Sequence, residues 1–282
     1  MSRPWILVCP SSRGLGHVLT RHLLRNTTVP ILATARSDPS EVKDRLLEDI
    51  KHDKEAARRL HMVQLDVTDE STIEAASHEA ARLFPRDTHH LHLGFAIPGI
   101  LHPEKSPRQV DADKALATYR VNTLGPLLLM KWFEDFLPRR RTQFALDGHN
   151  APAPQQGGQA AAAVRLPDYA VWLAMSARVG SISDNRKGGW YSYRSSKAAV
   201  NSLTKSFDLQ LGARGGDKAV AMAYHPGTVR TDLSRDFWET VPKEKLFSPE
   251  FAAEKMVEVA TGLVGLEGRG RCWDWRGEEI LP

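Results

Sequence analysis

Short runs of consecutive apolar residues alternate along the chain with longer stretches whose apolar positions recur every three or four residues. WILVC (5–9), ILAT (31–34), HMVQL (61–65), LHLGFA (91–96), AVWLAM (170–175), VAMAY (220–224) and RCWDW (271–275) predict seven buried strands. Between them, 15–25, 40–59, 70–84, 111–137, 191–212 and 249–264 read as amphipathic helices. Runs too apolar for a half-exposed strand, separated by helices, predict an α/β chain with a mainly parallel sheet covered on both faces. Right-handed crossovers make that sheet doubly wound, and place a ligand beyond the carboxyl ends of its strands.

One stretch breaks the pattern. Residues 142–168, TQFALDGHNAPAPQQGGQAAAAVRLPD, mix Pro, Gly, Gln and an alanine run without an apolar period. Their length exceeds that of ordinary connections. They read as a surface insertion, with AAAAV forming a short helix, inside one domain spanning 1–282.

With 41% apolar and 26% charged residues, the 282-residue chain has the balance of a soluble globular protein. The net charge of +4 is concentrated only at Arg139-Arg140-Arg141. No aromatic residues interleave there, so the run reads as a solvated helix end rather than a nucleic-acid patch. Cys9 and Cys272 lie far apart in apolar runs and read as buried free thiols. No run is long enough to span a bilayer and none resembles a signal peptide, so a cytoplasmic protein with no membrane partner is expected.

Two places carry chemistry. After the first strand, Gly14-Leu15-Gly16 opens a helix, a context in which a backbone turn can approach a pyrophosphate at the helix N-terminus. About 20 residues further on, where a carboxylate would bind the ribose hydroxyls of NAD, stands Arg36. Arg36 and Arg13 together favour the 2′-phosphate of NADP(H), with Asp38 two residues away as the dissenting charge. The second place is GGWYSYRSSKAAVN, 188–201. Tyr193 and Lys197 are four apart, so on a helix they lie about 40° apart around the axis, whereas Tyr191 lies roughly 240° from Lys197. A neighbouring ammonium is expected to lower the phenol pKa of Tyr193 and make it a proton exchanger.

These segments, in this order, give a chain that resembles the short-chain dehydrogenase/reductase family, particularly its C-factor-like carbonyl reductases. The carriers are PSSRGLG (10–16), ATAR (33–36), LDV (65–67), VNT (121–123), SARVGSISDN (176–185), GGWYSYRSSK (188–197) and HPGTVRT (225–231). The resemblance implies a Rossmann-type fold and reduction of a small-molecule ketone or aldehyde by NADP(H). It implies Tyr193 as acid/base, Lys197 as its partner, and Asn122 as the holder of a water relay to the lysine. Cofactor contacts would come from Ser12, Arg13, Gly14, Leu15, Gly16, Arg36, Asp66, Val67, Lys197, Pro226, Gly227, Val229 and Thr231. It also implies pairing of subunits through the helices at 111–137 and 191–212. No metal is expected.

Three departures stand out. The first glycine of the family's turn is Pro10, and its NNAG after the fourth strand is Ala96-Ile97-Pro98-Gly99. The slot of the catalytic serine holds Ala177. Ser181 and, on the other strand face, Ser176 are candidate replacements, and a site with no serine remains a third possibility. Trp190, Phe237, Trp238 and Phe247 are candidate walls of an apolar substrate pocket, and each could equally be core. The departures leave a second reading open: a cofactor-binding homologue with little turnover, acting as a redox sensor or signal. An epimerase on nucleotide sugars would need a longer C-terminal part than the residues after 224 supply.

Overall fold

The computed structural model describes residues 1–50, 53–146, 149 and 164–282. Seven strands pair in parallel: β1 (Arg3–Cys9), β2 (Ile31–Ala35), β3 (Leu60–Gln64), β4 (His89–Ala96), β5 (Ala170–Met175), β6 (Ala219–His225) and, after two short strands outside the sheet, β9 (Cys272–Asp274). Each lies where an apolar run predicts it. An eighth strand that the pattern does not signal, β10 (Glu279–Ile280), adds antiparallel to β9. Two residues give no periodicity to read. The strand order is β10-β9-β6-β5-β4-β1-β2-β3, so the winding reverses between β1 and β4. The other short pair is β7 (Thr228–Val229) with β8 (Leu246–Phe247).

Strand alternation sorts the core into two layers. Ile6 and Val8 of β1 join Ile31, Ala33, Leu93, Val171, Leu173, Val220 and Met222 on one face. Helices α1 (Gly14–Asn26), α2 (Pro39–Leu46) and α8 (Pro249–Glu258) supply Leu19, Val42 and Met256 to that layer. Trp5, Leu7 and Cys9 point the other way, with Leu91, Trp172 and Ala174. There they meet α4 (Glu70–Leu83), α6 (Gly125–Phe133) and α7 (Tyr191–Gly215) through Ile73, Leu129, Phe133, Val200 and Phe207. The period of two along each strand produces this division, since successive side chains leave opposite faces. Both cysteines are buried and free.

Three predicted helices are interrupted, the 249–264 stretch being α8 followed by a π turn over Val259–Leu263. The 40–59 stretch is α2, a 3₁₀ turn at Glu48–Ile50 and α3 (Lys54–Arg59). The 111–137 stretch is α5 (Ala112–Tyr119), a π turn over Arg120–Leu124, and α6. Pro126 has no amide hydrogen to give the Asn122 carbonyl, and the Gly125 amide instead reaches back to Arg120.

The 142–168 segment is described at its flanks only. Ser2 donates its amide to the Gln143 carbonyl at 2.7 Å, and Val164 donates to Asn26 at 3.0 Å. The alanine run and the rest of the expected insertion lie outside the described residues. At these flanks two buried histidines form a directed chain. The Pro167 carbonyl can only accept, so His92 Nε2 donates to it at 3.0 Å. His92 Nδ1 must then accept from His90 Nε2 at 2.9 Å, and His90 Nδ1 from the Ser2 hydroxyl at 2.9 Å. Both rings are therefore neutral. Burial pulls their pKa values down to about 2 for His90 and about 3 for His92.

A histidine held neutral when folded contributes stability above its unfolded pKa near 6.5, and that stability is lost as pH falls towards the folded value. Each ring should therefore cost on the order of 2 kcal/mol of stability at pH 5 relative to pH 8. Urea unfolding followed from pH 8 to 5 should show this decline, and a His90→Leu/His92→Leu variant should show a shallower one.

Candidate active site

The carboxyl ends of β1, β4, β5 and β6 open on one side of the sheet, and the segments that follow them meet there. After β1, the Ser11 hydroxyl donates to Val8 O at 3.0 Å and accepts from Thr20 Oγ1 at 3.0 Å, fixing the turn. A Cβ on Gly16 would lie 1.9 Å from the Pro10 carbonyl oxygen, so the glycine is obligatory with proline at the corner. Ile97, standing where the family has a polar residue, presses its Cδ1 to within 3.2 Å of the same point. Gly14 takes φ +55°, and its missing Cβ faces the Thr231 methyl at 3.7 Å. The turn after β1 and the segment after β6 thus face each other across the opening.

Ser12, Arg13, Gly14, Leu15 and Gly16 form the turn and first residues of α1, and no side chain caps that helix end. Arg13 and Arg36 are both exposed. Asp38 is not a free carboxylate: its Oδ1 accepts from the Ser40 amide at 2.8 Å, capping α2. Asp66 accepts from the Thr68 amide and hydroxyl at 2.9 and 2.7 Å. Its neighbour Val67 packs against Gly125 in α6 so closely that a Cβ there would stand 2.8 Å from Val67 Cβ. Pro226 and Gly227 follow β6, and Val229 is buried in β7. Thr231 opens the 3₁₀ stretch Asp232–Phe237 with a reciprocal cap to Ser234.

At the other side of the opening α7 presents Tyr193 and Lys197, 8% and 1% exposed. The Lys197 amine lies 5.8 Å from the centre of the Tyr193 ring and donates to the Met175 carbonyl at 2.8 Å. Asn122, fully buried in the π turn, accepts from the Ile100 amide at 2.8 Å. It donates to the Ile100 carbonyl at 2.9 Å and to Ser196 Oγ at 3.1 Å. A Cβ on Gly99 would stand 3.9 Å from Lys197 Nζ and 4.0 Å from Asn122 Oδ1. The loop after β4, the widened turn and α7 therefore converge on the lysine.

The expected lowering of the phenol pKa is not what burial produces. Desolvation pushes Tyr193 up to about 12 and pulls Lys197 down to about 7. Burial takes both groups out of water, which disfavours the phenolate and the ammonium alike. Tyr193 is accordingly a protonated phenol, a donor, across the neutral range.

Neither replacement serine points its hydroxyl freely. Ser181 Oγ donates to the Leu281 carbonyl at 2.5 Å and accepts from the Asp184 amide at 3.0 Å. Ser176 Oγ donates to Asn201 Oδ1 at 2.6 Å, tying β5 to α7. Both hydroxyls thus have partners within the chain, and position 177 itself carries an alanine. Trp190 stands 6.1 Å from Tyr193 and 4.9 Å from Phe237, ring centre to ring centre, and these three make an aromatic wall. Trp238 instead donates to Ser234 Oγ at 2.9 Å, beneath Arg230. Phe247, half-buried, packs with Phe251 and Trp275 against Gly227. Tyr191 is 42% exposed. Glu104, 4% exposed against the start of α7, was legible from no motif, being a lone acid in a loop between two prolines.

A parallel doubly wound sheet with a glycine turn at its switch point and a Tyr-Lys pair on the facing helix defines an oxidoreductase fold of the short-chain type. The chain belongs to the short-chain dehydrogenase/reductase family. It is 31% identical over 171 residues to C-signal of Myxococcus xanthus, covering 61% of this chain and 80% of that one. It is 28% identical over 254 residues to 1-hydroxy-2-glutathionyl-2-methyl-3-butene dehydrogenase of a Rhodococcus species, covering 90% and 88%. Among solved structures it superposes on the NADPH-bound carbonyl reductase from chicken fatty liver with a TM-score of 0.75 at 24% identity, over the full length of both. The carbonyl reductase Sniffer of D. melanogaster gives 0.75 at 22%, also over both full lengths. No family sequence model matches the chain. Among the described residues, no helix is long and apolar enough to cross a membrane.

Asn122 satisfies three groups at once, so Asn122→Leu should orphan the Ile100 amide and carbonyl. The expected cost is about 3 kcal/mol in urea unfolding at pH 7.5, with Asn122→Asp no milder, because its buried carboxylate keeps the acceptor for the Ile100 amide but faces the Ile100 carbonyl.

Proposed function

We propose that this chain is an NADPH-dependent reductase of small-molecule ketones or aldehydes, with Tyr193 as proton donor. The observation that carries this reading is the convergence of Lys197, Asn122 and Gly99 beside Tyr193, opposite the Gly14 turn. Binding alone needs no buried phenol with an amine one helical turn away.

The residues at the phosphate end fit a phosphorylated dinucleotide. Uncapped amides at the start of α1 and the close turn at Gly14 and Gly16 suit a pyrophosphate. Arg13 and Arg36 suit a 2′-phosphate, and Asp38 is turned to the first amides of α2 as its cap. Asp66 and Val67 would flank the adenine, and Pro226, Gly227, Val229 and Thr231 the nicotinamide side. When bound, the cofactor supplies a hydride from its nicotinamide ring. Tyr193 would give its proton to the carbonyl oxygen of a substrate whose carbon takes up that hydride, so ketone, hydride and proton together make the alcohol. Lys197 would hold the ribose and, with Asn122, return a proton to the phenol. Trp190 and Phe237 wall the approach and favour a flat or bulky apolar carbonyl compound.

Ala177, with Ser176 and Ser181 both engaged, favours a second reading in which the protein binds NADPH and turns over slowly. Rates separate the two.

Tyr193→Phe should lower kcat by about 10³-fold while NADPH binds as in the wild type, measured by absorbance and by fluorescence titration. Arg36→Asp should move the preference towards NADH. Ala177→Ser should raise kcat by about tenfold or more, since a hydrogen-bond donor at the carbonyl stabilises developing charge. Tight NADPH binding with no turnover across aromatic, aliphatic and cyclic carbonyl compounds would favour the second reading.

A further inference from the structure

The approach to α7 runs through three consecutive left-handed residues: Gly188 at φ +63°, Gly189 at +68° and Trp190 at +51°. The two glycines adopt this conformation freely. Trp190 does not, and a bulky residue stays there only where its surroundings over-determine it. Tyr193 follows three residues later, so the direction of its phenol depends on how this entry is held.

Two residues hold it, Arg194 by its side chain and Glu104 by both backbone and side chain. Arg194 donates Nε to the Gly188 and Gly189 carbonyls at 3.2 and 2.9 Å, and Nη1 to Val179 O at 3.2 Å. From the opposite side comes Glu104, in the loop after β4. Its backbone oxygen accepts from the Trp190 amide at 2.5 Å, and its Oε1 accepts from the Ser192 hydroxyl. A Cβ on Gly189 would stand 3.2 Å from the Glu104 carbonyl oxygen, so the two segments touch. Glu104 is 4% exposed, and its Oε2 is buried with no hydrogen-bond partner among the described residues.

A half-satisfied buried carboxylate costs more than an apolar residue of its size, so packing alone does not account for it. What it gains is the start of α7. No side chain at Trp190 caps that helix, and an acid beside its first turn interacts favourably with the unpaired amides and the positive end of the dipole. The same contact reaches Ser192, the residue next to Tyr193.

We propose that Glu104 is a positioning residue: it clamps the left-handed entry to α7 through Trp190 and Ser192 and thereby fixes the Tyr193 phenol for proton transfer. This rests on the reading of Tyr193 as proton donor. Glu104 touches neither substrate nor cofactor, so its loss affects the chemical step more than binding.

The test compares Glu104→Leu, Glu104→Gln and Ser192→Ala in the full chain, with NADPH and the best carbonyl substrate of the wild type. Glu104→Leu should lower kcat about tenfold through misplacement of the phenol, with both KM values within about twofold. Glu104→Gln keeps an acceptor for Ser192 and should restore kcat to within about twofold of wild type. Ser192→Ala, which leaves the loop intact, should fall in the same direction by about threefold and serves if the Leu variant does not fold. Hydrogen exchange of the 188–193 amides gives a readout that needs no activity: it should speed up in the Leu variant and not in the Gln variant. A Leu variant with wild-type kcat, a Gln variant as slow as Leu, or unchanged exchange in the Leu variant overturns the proposal. A wild type that reduces no carbonyl compound sinks the reductase reading instead, and the exchange comparison still decides the clamp.

Discussion

Around the buried amine of Lys197 the rest of the site is arranged. An ammonium taken out of water loses several kcal/mol of solvation, and here one carbonyl, Met175 O, is the partner it is seen to have. The protein resolves the deficit by letting the amine approach neutrality near pH 7. The same burial keeps Tyr193 protonated, the state required for donating to a carbonyl oxygen.

The neighbouring structure is shaped to leave room for that amine. Gly99 removes a side chain beside it, and Asn122 gives up regular helical geometry to hold both polar groups of Ile100. The π turn is the backbone's accommodation of Asn122 and Pro126 together. Beside the glycine turn the bracing is apolar. Ile97 donates its amide to Cys9 O at 2.7 Å and fills the space over Gly16. Pro10 crowds the same glycine. The departures from the family pattern therefore alter how the turn is braced without moving it from the switch point of the sheet.

Loss of the serine is the departure with chemical weight. Ser176 ties two core elements together and Ser181 holds the chain near Leu281. Under the proposed reductase reading, carbonyl polarisation rests chiefly on Tyr193, and the proposed hold of Glu104 and Arg194 on the entry to α7 places its hydroxyl.

The seven parallel strands, the helices between them and the pairing of Tyr193 with Lys197 were legible in the sequence, because each depends on a local period: two along a strand, 3.6 along a helix. The glycine turn and its two arginines were legible for the same reason, being tied to the end of a strand. What no local pattern carries is which distant groups meet. Asp38 becoming a cap, the partners of both serines, Phe247 packing on Phe251 and Trp275, and Glu104 reaching Ser192 across 88 residues all follow from how distant segments dock. The pKa values belong to that level as well. Spacing alone predicts a lysine that lowers the phenol's pKa. Burial, which exists only once the chain has folded, reverses the direction.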